Sequence, residues 1–111
     1  MRKVIVLSFN DIAIDPEEAA SVISQALRRS PKLHYAGFGL LANDLMIFLD
    51  DIRTSSADGE SSFVFSNLGI DCSPDTIAAT AQHRYAADYS TLAVFPIEGI
   101  YWGLFCKNPG A

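Results

Sequence analysis

The sequence predicts an α+β fold of ferredoxin-like type: a two-layer sandwich with two helices on one face of a mainly antiparallel sheet. Three observations carry this. Two segments open with helix-start chemistry, at Asp15-Pro16 and at Ser73-Pro74. Short apolar runs separated by turn residues fill most of the remainder. Their order, β-α-β-β-(β)-α-β-β, contains the β-α-β-β-α-β order of a plait with two added strands. The chain has 111 residues, half of them hydrophobic, which is expected to form one α+β domain over residues 1–111.

Lys3 to Phe9 is β-branched and apolar on both faces, the pattern of an inner strand. Asn10 to Ile14 reads as a connection. Asp15 then caps a helix, Pro16 takes its first position, and Glu17 and Glu18 sit in the first turn. Ala19, Val22, Ile23, Ala26 and Leu27 recur at helical spacing, and Pro31 ends the helix near Ser30. Arg28, Arg29 and Lys32 complement the negative end of its dipole.

Leu33 to Ala42 and Leu45 to Ile52 are expected to form a hairpin about Asn43-Asp44. That register pairs Leu40 with Ile47 and Phe38 with Leu49 on a face assigned to the helices. Gly39 with Phe48, Gly37 with Asp50, and Tyr35 with Ile52 then share the other face. Residues 53–62 read as a solvated, mobile loop, and Phe63 to Leu68 as a strand. Ser73 caps a second helix whose inner face holds Ile77, Ala78, Ala81 and Tyr85. Leu92 to Ile97 and Ile100 to Cys106 close the fold as a hairpin about Glu98-Gly99, with Phe95 opposite Trp102 and Ala93 opposite Leu104.

Charge and composition narrow the function. Thirteen acidic residues against eight basic give a net charge of −5. Nucleic-acid and membrane-surface binding both draw on clustered Lys and Arg, so neither is expected. No apolar run reaches the roughly 18 residues of a membrane span. Cys72 and Cys106 lack CxxC partners, which fits two reduced thiols in a cytoplasmic protein. The histidines, His34 and His83, have no neighbours at metal-ligand spacing, so no metal and no cofactor are expected.

The candidate ligand-binding residues lie on the first hairpin. Gly37 and Gly39 inside a strand mark a close approach by another backbone or by a ligand, beside Tyr35, Phe48 and Asp50. At the open end of the hairpin, His34 faces Arg53 with Asp51 diagonal to it, a set able to hold an anion or move a proton. Each has a plainer reading: glycines serve close packing, and polar groups gather at strand ends.

Both hairpins are apolar on two faces, and two helices on one side cover one of them. A second copy of the same sheet is the simplest cover, so a homodimer is expected. The first function reading is a small non-catalytic binding or sensor subunit acting as a homo-oligomer with a small-molecule ligand. The second is an acidic interaction or inhibitor module for a basic protein partner. The third is a small cofactor-free enzyme using His34, Asp50 or Tyr35.

Overall fold

The computed structural model describes residues 2–52, 57–69, 73–75, 78–79 and 89–107. The α+β class holds, but the single helix-covered sheet does not. Six strands, β1 (Arg2–Ser8), β2 (His34–Leu41), β3 (Asp44–Asp50), β4 (Ser62–Gly69), β5 (Ser90–Ile97) and β6 (Ile100–Lys107), form two antiparallel three-stranded sheets. Their orders are β1-β3-β2 and β4-β6-β5. The helix expected from Ser73 onward, including 80–87 with His83 and Tyr85, lies mostly outside the described residues, as does Cys72.

Two helices follow β1. The segment read as a connection is a short helix, α1 (Phe9–Ile14), capped by the Ser8 hydroxyl, which accepts from the Asp11 amide at 3.1 Å. The Ser8-x-x-Asp11 spacing was its signal. The longer helix, α2 (Pro16–Arg29), starts and stops where the sequence places it. The Asp15 carboxylate accepts from the Glu18 amide at 3.2 Å, and Ser30 ends the last turn. Its buried side is Ala19, Ala20, Ile23, Ala26 and Leu27; Val22 is at the surface and Ala20 takes its place.

One continuous core spans the inner faces of both sheets and this side of α2. Ile5, Leu7, Leu45, Ile47 and Leu49 come from the first sheet; Phe65, Phe95, Trp102 and Leu104 come from the second. Phe95 is its centre: its ring stacks on Phe9 at 6.0 Å and meets Phe65 edge-on at 6.1 Å. The sheets face each other across this layer, so the second sheet does much of the covering that the sequence assigns to helices.

The first hairpin turns at Ala42 and Asn43, one residue earlier than expected. Leu41 pairs with Asp44, and Ala42 takes a positive φ of 52°. Tertiary pairing overrides turn preference here. Asp44 is held on its other side by Ser8 of β1, and the Phe9 amide donates to the Asn43 carbonyl at 2.8 Å. The second hairpin turns at Glu98-Gly99 as expected, both with positive φ, which suits a tight two-residue turn.

The two halves share a plan. Each sheet carries its third strand in the centre. Pair for pair, the second hairpin repeats the first at a constant offset of 56 residues. His34↔Asp50 corresponds to Ser90↔Cys106, and Leu41↔Asp44 to Ile97↔Ile100. The offset carries over to the bulges, at Ala36 and Leu92, and to the positive-φ residues Ala42 and Glu98. The faces are exchanged, however. The buried Phe95, Trp102 and Leu104 correspond to Gly39, Met46 and Phe48, which lie on the outer side of the first sheet.

Of the loop read as residues 53–62, residues 57–61 form a defined turn. Asp58 and Ser61 close a turn on each other, with the Asp58 amide donating to the Ser61 hydroxyl at 3.0 Å. Ala57 is buried and its carbonyl accepts from the Tyr35 amide at 2.9 Å.

Candidate functional site

The outer face of β1-β3-β2 brings together most of the sequence candidates. β-strand alternation puts Arg2, Val4 and Val6 of β1 on one side with Met46, Phe48 and Asp50 of β3. From β2 come His34, Gly37, Gly39 and Leu41. The middle of the face is apolar and open to solvent: Val4 is 48% exposed, Val6 59%, Leu41 60% and Phe48 37%. Met46 and Phe48 lean over Gly39, where an added Cβ would stand 3.2 Å and 3.3 Å from their tips. Gly39 thus lets these two side chains lie flat across β2.

Polar groups gather at one end. His34 faces Asp50 across the hairpin, and Asp50 accepts from the Arg2 guanidinium at 3.2 Å. The Asp50 carboxylate also accepts from the Ile52 amide at 2.9 Å. The His34 ring Nδ1 is buried and lacks a hydrogen-bond partner among the described residues. The pairing of His34 with Arg53 is not formed. The earlier turn and the bulge at Ala36 together move its cross-strand partner to Asp50. Arg53 lies outside the described residues, and Asp51 stands exposed past the end of β3.

Tyr35 is the main correction. The bulge flips it from the outer face into the core, where it pairs with Leu49 and is 5% exposed. Its hydroxyl donates to the Leu92 carbonyl at 3.0 Å, tying the first sheet to the bulge of the second. Gly37 and Gly39 also shift partners, to Phe48 and Met46 in place of Asp50 and Phe48.

Burial, and then the charge of Cys106, push the Tyr35 phenol up to about 12. Its ordinary value is about 10. The folded chain therefore favours the protonated phenol. Its contribution is complete below pH 10 and is lost as pH rises from 10 through 12. The expected loss is about 2–3 kcal/mol over that window. Urea unfolding at stepped alkaline pH checks this; Tyr35→Phe should remove that part of the decline.

Cys106 is free and buried, and burial followed by the Asp58 carboxylate raises its thiol above the ordinary range. It is a packing residue with little thiolate at neutral pH. Among the described residues no group of three or more His, Cys, Asp or Glu is placed to hold a metal ion. No described helix is long and apolar enough to cross a membrane. An open cleft of about 530 Å³ lies between the two hairpin turns and α1, lined by Phe9, Asn10, Ala13, Ala42, Asn43, Ile97 and Glu98. It shares no residue with the outer-face set. Comparison with protein-family models, with curated proteins and with solved structures finds no match to this chain.

Proposed function

We propose that this chain is a non-catalytic binding subunit that works as an assembly of copies. The observation that carries the reading is the open apolar face of β1-β3-β2. Contiguous exposed apolar surface on a soluble protein marks an association site. Two of the three groups suited to chemistry are otherwise engaged. The Tyr35 hydroxyl is spent on a carbonyl and Asp50 on Arg2 and a backbone amide. A small-molecule ligand would then find its place at the borders between copies, as pockets between subunits often do.

Absolute mass by light scattering after size exclusion, at low and high salt, tests this. A dimer or larger species at both salts is the expected result, because apolar contacts are not screened. A monomer at both salts overturns it. The net charge of −5 favours a second reading, an acidic module for a basic partner. That reading expects a monomer whose binding to a basic protein falls steeply with salt.

A further inference from the structure

The open face has a counterpart inside the same chain, and that counterpart is covered. Under the 56-residue correspondence, Gly39, Leu41, Met46 and Phe48 map onto Phe95, Ile97, Trp102 and Leu104. The flanking strands follow, with Val4 paired to Phe48 as Phe65 is paired to Leu104. In the second half this face is buried against the first sheet and α2. In the first half it meets solvent. The same three-stranded plan thus presents an equivalent face twice, and where its cover is visible a sheet of the same plan supplies much of it, there with its opposite side.

We propose that the open face is filled by the same face of a second copy, packed sheet on sheet about a twofold axis. This rests on the homo-oligomeric reading above and names its contact surface. Charge favours a second copy over a basic protein. The chain carries −5, yet this face has an apolar middle and its Arg2 is already paired to Asp50. A basic partner would find few free carboxylates there; an identical face meets it without like charges in the centre. Size sets the strength. Two strands of seven residues and one of eight make a face of about 14 by 24 Å. Two such faces together cover about 700 Å² in projection, below the roughly 1,200–2,000 Å² of stable interfaces, so a weak, concentration-dependent pair is expected. Use of one face by both partners also closes the assembly at two.

The test combines mass with solvent accessibility. For the unsubstituted chain, a dimer is expected whose Val4, Val6 and Leu41 methyl signals are protected from a soluble paramagnetic probe. Val6→Asp and Leu41→Asp, each placing a carboxylate in the contact, are expected to weaken self-association on the order of a hundredfold while circular dichroism stays unchanged. A dimer with those methyls fully accessible overturns this surface and leaves the homo-oligomer standing. Folded variants that dimerise as tightly as the parent do the same. A monomeric parent overturns both. Should either variant fail to fold, methyl protection in the parent decides alone.

Discussion

Phe95→Ala is expected to lower unfolding free energy by about 3–5 kcal/mol, the range for removing a fully buried aromatic ring. Phe95 has no exposed surface and joins both layers, since it stacks on Phe9 beside the first sheet and meets Phe65 within the second. The loss combines the transfer of the ring, a cavity between two sheets that cannot close independently, and two aromatic contacts. Domains of this size have about 5–15 kcal/mol in all. The midpoint of thermal unfolding should therefore fall by more than about 10 °C. Calorimetry or a urea titration gives the value, and a loss below about 1 kcal/mol would contradict the shared core.

Gly103→Ala is expected to cost about 1–3 kcal/mol by overpacking. A Cβ at this position would stand 2.6 and 2.8 Å from two ring atoms of Phe105. Real Cβ atoms do not approach so closely, so the ring must leave its place. Phe105 is 1% exposed, so that movement disturbs a packed position and not a free surface tip. Both residues are on the face of β6 turned away from the main core. Urea unfolding of Gly103→Ala against the parent chain checks this.

Local chemistry was legible in the sequence wherever a local rule decides the outcome. Asp15, Pro16 and the spacing through Leu27 define α2 because capping and helical periodicity are short-range. Glu98-Gly99 fixes the second hairpin, and its pairing is read correctly up to the bulge at Leu92. The first hairpin shows where this stops. Asn43 and Asp44 are good turn residues, but Asp44 has partners on two strands and the turn yields to them. The bulge at Ala36 leaves no mark in apolar alternation, yet it decides that Tyr35 enters the core and that His34 meets Asp50. Division into two sheets was equally hidden. A strand apolar on both faces states that both need cover, not whether helix or sheet supplies it. Of the outer-face candidates, Gly37, Gly39, Phe48 and Asp50 could be grouped from alternation alone, since their parity survives the shifted turn.

The exchange of faces between the halves gives the architecture a direction. Each three-stranded unit has one side that the first half turns inward and an opposite side that the second half turns inward, so the units stack like bricks laid the same way up. The far side of the second sheet is covered where Phe105 stands, so such a stack can lengthen only at the open face. A third unit appended before β1 would find a seat equivalent to the one the first unit already occupies. That makes the chain a template for lengthening by duplication.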